Sequence, residues 1–517
     1  MPDLKTELER LNPAQREAVT YAGPGPLLVL AGPGSGKTHV ITRRVRYLTE
    51  VMGIAPEKIL VLTFTKDAAT SMKERYLKEI SSENSKKFKT VNFGTIHSIF
   101  YHLLQDSVDL PEEHLLMDME KKKLLMPILE SFLPNANFME INNFSMDMMS
   151  SISFYKNTGN RKEAERRLHP YLQERFDDVF CTYEKSRKSL GKLDFDDMLA
   201  DCKRLLSENK MLRKYWQSRY EHILIDEFQD VNPAQYEVIK LLAAPPYNLF
   251  GVGDDDQSIY GFRGADPGVM QVFAKEYHAK QVTLNVNYRC NEEIVKASLK
   301  LIGNNKERFV KKLVSYQAIE NDGWKKFWNK FFEKHSKKNK VLGAKEGKNE
   351  KDLKKILMKK EPCKTDVKHD PRDVRKNGVR KLPYRTQEEE YQSICEICEE
   401  ALRSGGTMAV LARTNRLLDR FARELKIRGI PFDTTQDGKL ALMTAHGSKG
   451  LEFDRVVLLD CNERTFPHGF HLDQKTMEEE RRIFYVGMTR AKSELLLPYV
   501  AGTKKHAEEA SRFLAEF

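Results

Sequence analysis

A lysine and a threonine close the octet AGPGSGKT at Ala31–Thr38, and together with its spaced glycines they make a set of groups able to hold a polyphosphate. Gly32, Gly34 and Gly36, with Ser35 between the last two, let main-chain N–H groups converge on one point. Lys37 can reach terminal phosphates, and Thr38 can offer a hydroxyl to a magnesium ion at a helix start. Two acids follow at Asp226 and Glu227 in HILIDEFQD (222–230). Asp226 suits a magnesium ligand and Glu227 a general base acting on an attacking water. A third group, Asp254–Asp255–Asp256–Gln257, ends in an amide able to touch the terminal phosphate or the nucleophilic water. Just beyond it stand Tyr260, Phe262 and Arg263, two stacking rings beside a guanidinium, which is what sequence-tolerant single-strand binding uses.

Apolar runs precede all three groups. Leu27–Leu30 reads as a buried strand feeding the glycine loop, and the loop leads into a helix; His222–Ile225 and Leu249–Gly253 read as strands of the same kind. Side chains alternate along a strand, so Asp226 and Glu227 must lie at or past its end for both to face one loop. Plainer readings stand beside these: a glycine turn without chemistry, a solvated strand end, and rings packed in a core.

At 517 residues the chain has room for roughly three or four domains. No run reaches the apolar length of a membrane span, and Lys5, Glu7, Glu9 and Arg10 stand where a signal peptide needs an apolar segment, so a cytoplasmic protein with no membrane role is expected. Seven cysteines fit a reducing compartment better than a disulfide framework. Cys395 and Cys398 form a CxxC within a helix-like run and read as a partly buried helix face rather than a metal site. The formal charge is +11, and residues 321–380 alone hold 20 Lys or Arg against 9 Asp or Glu, which accounts for the whole excess. A basic chain with a phosphate loop points to nucleic acid, although a lysine-rich segment also serves solubility.

With these residues in view, the chain resembles a superfamily 1A DNA helicase of the UvrD, PcrA and Rep type. LNPAQREAV (11–19) resembles the Q motif, in which Gln15 reads adenine. TFTKDAA (63–69) and GTIHS (94–98) resemble the DNA-contacting motifs Ia and Ib. DEFQD, GDDDQSIYGFRGA (253–265) and NYR (287–289) resemble motifs II, III and IV; MTAHGSKGLEF (443–453) and EEERRIFYVGMTRAK (478–492) are similar to motifs V and VI. The resemblance implies an α/β protein with two RecA-like P-loop domains built of parallel sheets flanked by helices. Domain 1A would comprise 1–102 and 190–280, a helical domain 1B 103–189, and domain 2A 281–312 and 385–517; a basic, partly helical insertion would occupy 313–384.

It further implies ATP and Mg2+ as cofactors, with nucleotide held between the two RecA-like domains. By position, Arg289 and Arg490 would act as arginine fingers on the γ-phosphate, Tyr288 would stack on adenine, and Gly450 and Glu452 would contact the nucleotide. Phe64, Thr65, His97, Tyr260, Phe262, Arg263 and His446 would contact DNA. The implied activity is a DNA-stimulated ATPase that translocates 3′→5′ on single-stranded DNA and unwinds 3′-tailed duplexes in repair or replication maintenance. The alternative is a motor subunit of a repair or phage-defence complex that strips proteins or drives a partner nuclease with little unwinding alone. A monomer or weak self-association is expected, with room for a nuclease or repair factor as partner.

The chain departs from that family in several places. The 2B accessory domain has no counterpart between Gly429 and Gly447, whereas the 1B segment is retained and GKLDFDDML (191–199) matches the return to domain 1A. His39 stands where arginine is frequent, and a neutral imidazole there brings less charge; Phe262 replaces a common tryptophan. Within the insertion, Trp324, Phe327, Trp328, Phe331 and Phe332 fall on one helix face, with Lys325, Lys326, Lys330 and Lys334 mostly elsewhere. This face reads as a cap on the second RecA-like domain, a DNA contact or a partner or membrane groove. The lysine-rich run 333–380 reads as largely disordered. The insertion is expected to substitute electrostatically for the missing accessory domain.

Overall fold

Five apolar residues in succession form β1 (Leu27–Ala31), and all five are buried, as a strand covered on both faces of a parallel sheet requires. β2 (Ile59–Thr63), β4 (His222–Ile225) and β5 (Leu249–Gly253) are buried along their whole length in the same way. β3 (Asn92–Thr95) and β6 (Lys280–Leu284) are partly exposed and stand at the two edges. The order is β3-β2-β4-β5-β1-β6, and β1, β2, β3, β4 and β5 run parallel where their register is defined. Parallel strands bring the segments after β1, β4 and β5 to one rim, where ligands of such sheets bind.

The computed structural model describes residues 4–80, 90–107, 115–322, 378–435, 438–469, 472–502 and 508–517. It divides into two units, Met1–Ala31 with Lys37–Thr283, and Gly32–Gly36 with Leu284–Phe517. Among the described residues no helix is long and apolar enough to cross a membrane.

In the first unit the described residues between β3 and β4 are mostly helical. Asp118–Phe132, Phe138–Thr158 and Phe176–Ser189 pack around Leu125, Leu129, Ile141, Met148, Phe176, Val179 and Tyr183. An Asn137–Glu140 capping box starts the longest of these helices and Gly159 ends it in the left-handed region. A buried ammonium fastens the bundle to the next helix: Lys156 meets Glu184 at 2.6 Å, Asp194 at 2.8 Å and Asp197 at 2.9 Å.

The second unit holds the sheet β11-β10-β12-β13-β9, formed by β9 (Gly378–Tyr384), β10 (Met408–Ala412), β11 (Leu440–Thr444), β12 (Phe453–Leu458) and β13 (Ala491–Val500). All its pairs are parallel. Cys395 and Cys398 are fully buried on the helix Gln387–Ser404, packed in a core with Met408, Val410, Phe421 and Leu442, and burial raises the pKa of both thiols. They are core side chains.

The stretch 313–384, read from sequence as an insertion, is narrower than that reading. Its first residues form β8 (Val314–Ser315), paired with β7 (Val286–Asn287), and then the helix Tyr316–Asp322. Its last seven are β9, an edge strand beside β13. Gly378 opens β9 at φ +127, where a side chain is strained and would collide with the Glu293 carboxylate. The face bearing Trp324, Phe327, Trp328, Phe331 and Phe332 lies outside the described residues.

Candidate active site and nucleic-acid interface

The helix Lys37–Arg46 begins at the loop lysine. The Lys37 ammonium stands 3.5 Å from the Glu227 carboxylate. β4 ends at Ile225, so Asp226 and Glu227 lie just past it, and Glu227 occupies the left-handed region at φ 48, ψ 47. Together the β1 loop and the β4 end juxtapose a mobile cation and the two acids.

Asp226 fits a divalent cation. It is buried, and its Oδ1 has no hydrogen-bond partner, an expensive condition for a carboxylate oxygen. Burial, and after it the Glu227 carboxylate, push its pKa up to about 7. A cation would supply the charge compensation that the protein side chains leave incomplete. Thr38, in the first turn of the following helix, is half-buried.

Past β5, Gln257 is buried and its side-chain amide donates to the Asp254 carboxylate. The Asp254 N–H in turn donates to Gln229 Oε1 at 2.8 Å, and Gln229 Nε2 donates to Glu227 Oε2 at 2.5 Å. A hydrogen-bonded chain therefore runs from Glu227 to Gln257. Sequence reading picked out its two ends, took Asp254 only as the start of an acidic run and missed Gln229; the one available signal was an amide within a run of acids.

Gln15 takes part in a capping box: Asn12 Oδ1 accepts from the Gln15 N–H at 2.9 Å, and Gln15 Oε1 accepts from the Asn12 N–H at 3.2 Å. This orients a buried amide at the start of the helix Pro13–Thr20. His39 is neutral near pH 7, because burial, with Arg43 and Arg75 nearby, pulls its pKa down to about 4.

Four of the residues expected to contact DNA gather in the first unit. Phe64 stacks on Tyr260, Tyr260 meets Phe262 edge-on at 6.0 Å, and the Arg263 guanidinium lies 5.5 Å from both the Tyr260 and Phe262 ring centres. Phe262 is 41% exposed. Thr65 caps the helix Lys66–Lys78, its hydroxyl accepting from the Ala68 N–H at 3.1 Å. His97 packs edge-on against Phe195 at 5.8 Å. Its pKa is lowered chiefly by burial; Asp196 pulls it upward, while Lys121 and Arg263 add to the lowering.

In the second unit Arg289 Nε donates to Glu452 Oε2 at 2.9 Å and Nη1 to the Thr489 carbonyl at 3.3 Å. Lys492 approaches Glu452 from the other side at 3.1 Å. Burial raises the Glu452 pKa, but the two cations outweigh it and hold the carboxyl below its usual range. Arg490 is buried and donates to the Val486 and Leu451 carbonyls and to Thr489 Oγ1. Tyr288 is 43% exposed, with its ring 5.1 Å from Tyr316, and its N–H donates to the Gly34 carbonyl at 2.9 Å. Gly34 must lack a side chain, since a Cβ would collide with Arg289 Cβ. His446 and Gly450 lie in the turns after β11, Gly450 at φ +88.

This geometry agrees with what sequence comparison finds. Residues 11–278, more than half of the chain, match the UvrD/REP helicase N-terminal domain, and residues 433–502 match the UvrD-like helicase C-terminal domain. YjcD of Bacillus subtilis is 29% identical over 618 residues, covering 98% of this chain and 80% of its own. The ATP-dependent DNA helicase PcrA of Staphylococcus aureus is 27% identical, with 98% and 86% covered. Both alignments are longer than the 517 residues of this chain, so both relatives carry residues without a counterpart here. A phosphate loop beside paired acids on a parallel sheet, a second unit that holds another parallel sheet together with Arg289 and Arg490, and matches to both domain models identify the chain as a member of the UvrD/REP helicase family, of the superfamily 1A type.

Proposed function

We propose that this chain is an ATP-driven DNA helicase that translocates 3′→5′ along single-stranded DNA and opens 3′-tailed duplexes. The observation that carries the reading is the grouping of Lys37, Glu227 and the unpartnered carboxylate oxygen of Asp226 at the ends of β1 and β4. Support for DNA as the polymer comes from the cluster Phe64, Tyr260, Phe262 and Arg263 on the same unit, and from PcrA, which is named an ATP-dependent DNA helicase.

In this reading Lys37 and the loop N–H groups bind the phosphates, and Gln15, His39 and Tyr288 surround the adenine. Asp226 and Thr38 would hold magnesium, which when bound neutralises charge on the β- and γ-phosphate oxygens. Glu227 takes the proton of the attacking water and Gln257 orients that water or senses the terminal phosphate. Arg289 and Arg490, with Glu452 setting the first of them, stabilise the charge that develops on the transferred group. Arg490 must exchange its carbonyl partners to do so. Gly450 lies against the nucleotide, while Thr65, His97 and His446 border the DNA path. Domain 1B (103–189) and the split domain 2A (281–312, 385–517) are read as the family's.

The test is ATP hydrolysis with and without single-stranded DNA, followed by strand displacement on 3′-tailed and 5′-tailed duplexes. Stimulated hydrolysis with unwinding confined to 3′ tails is expected. Stimulated hydrolysis without unwinding of either would instead favour a motor subunit that works with a partner, and absence of DNA stimulation would refute the reading.

A further inference from the structure

Gln229 is completely buried, and both ends of its amide are used. Its Nε2 donates to Glu227 Oε2 at 2.5 Å and to Asp230 Oδ2 at 3.2 Å, while its Oε1 accepts from the Asp254 N–H at 2.8 Å. The reverse orientation would set a carbonyl oxygen against two carboxylates and an NH2 group against an N–H, so the amide has one satisfied orientation. Its main-chain carbonyl accepts from Ser258 Oγ at 3.0 Å. Gly253 makes room for it: a Cβ at 253 would lie 2.8 Å from Gln229 Oε1.

Glu227 needs such support. It sits in a left-handed conformation that non-glycine residues adopt at a cost, between β4 and the short turn Phe228–Asp230. Its Oε2 is approached by the Lys37 ammonium on one side and the Gln229 amide on the other. A general base works only when its oxygen is held within hydrogen-bond reach of the water. The same amide continues through Asp254 to Gln257, three residues before Tyr260.

We propose that Gln229 is a positioning residue that sets the Glu227 carboxylate and yokes it, through Asp254, to Gln257 and the aromatic segment beyond. This rests on the assignment of Glu227 as base. Occupancy of the Tyr260–Arg263 segment by DNA then reaches the base along the backbone from Tyr260 to Gln257 and from there through hydrogen bonds, which gives DNA stimulation of hydrolysis a structural route.

The test compares the full chain with Gln229→Met, which keeps length and removes both polar ends, and with Gln229→Glu, which keeps the acceptor for Asp254 and removes the donor to Glu227. ATP turnover with and without single-stranded DNA, binding of a fluorescent ATP analogue and thermal melting are measured for each. For Gln229→Met, kcat with DNA falls about tenfold to a hundredfold, the size of one lost hydrogen bond to a charged group, while analogue binding stays within about threefold. Gln229→Glu falls at least as far. Unchanged kcat and stimulation in both would overturn the proposal, as would a kcat loss that merely parallels weaker analogue binding and a lower melting temperature. Should Gln229→Met not fold, Gly253→Ala presses on the same amide from outside; a similar kcat loss is expected, and wild-type kcat overturns the proposal. Glu227→Gln is run beside them. Normal turnover in that variant defeats the base assignment itself, whereas a dead Glu227→Gln with a normal Gln229→Met defeats only the role of Gln229.

Discussion

Phe64 and Tyr260 lie face to face, ring centres 4.9 Å apart and planes 11° apart. Each ring has one face taken by the other, so a base must stack on an outer face or beside Phe262, which is exposed and flanked by Arg263. Phe262→Ala is expected to weaken single-strand binding by about 1–3 kcal/mol, the usual worth of one base on one ring. Fluorescence anisotropy at fixed salt reads this directly, and unchanged affinity would remove Phe262 from the binding surface.

The contact between Lys37 and Glu227 separates binding from turnover. Lys37→Ala should abolish hydrolysis by removing the only mobile cation that the loop offers the phosphates. Glu227→Gln should bind ATP and lower turnover by about a hundredfold or more, within the range general-base removal gives. Single-turnover hydrolysis beside equilibrium nucleotide binding distinguishes them; normal DNA-stimulated turnover in Glu227→Gln would mean that another group takes the proton.

Glu390 is buried on the helix Gln387–Ser404; its Oε1 accepts from the Asp460 N–H at 2.9 Å and its Oε2 has no partner. Burial, then Asp460 and Glu508, push its pKa up to about 8; Asp460 is itself raised by burial, with Arg420 nearby. The folded protein thus keeps a proton that the unfolded chain releases near the ordinary carboxyl value of 4.5, so this site costs stability as pH rises from about 4.5 to 8 and adds no further dependence above that. Glu390→Gln should melt like the wild type at pH 5 and several degrees higher at pH 8.5. Parallel melting curves across that range would contradict it.

Lys156 gathers three carboxylates in the helical segment of the first unit. Replacing it by Met removes one cation from a cluster in which Arg187 still meets Glu184 at 2.8 Å and Asp197 at 3.0 Å, and should cost about 1.5–3 kcal/mol, seen as an earlier chemical-denaturation midpoint. A change under about 1 kcal/mol would show that these acids take up protons instead.

A deletion that tests the basic insertion must run from 323 to 377, because cutting to 383 would remove β9 from its sheet. With β9 kept, removal of these lysines should weaken DNA binding and flatten log K against log salt by about 0.7 for each single-strand phosphate they neutralise. An identical slope would mean that this segment does not touch DNA.

What was legible in the sequence were groups whose chemistry is local. The loop at Ala31–Thr38, the acids after His222–Ile225 and the rings after Leu249–Gly253 stand at strand ends, where the expected runs put them. Neutral His39 and buried Cys395 and Cys398 were legible as well. Gln229 was not, because, although Glu227 and Asp230 are its neighbours in sequence, Asp254 reaches it only when the folded sheet brings the ends of β4 and β5 together. Thr65, carried over as a DNA contact, caps a helix, a use that Thr serves as readily as binding. β9 was hidden by its composition: GVRKLPY carries two cations and a proline and reads as more of a basic run, yet an edge strand accommodates all three.

β9 stands at the edge of its sheet, so the chain between Asp322 and Gly378 joins a helix to an edge strand rather than to an interior one. Lengthening such a connection costs only about 0.6 kcal/mol per doubling of its length. An insert grafted between these two ends is therefore expected to leave β9 paired with β13.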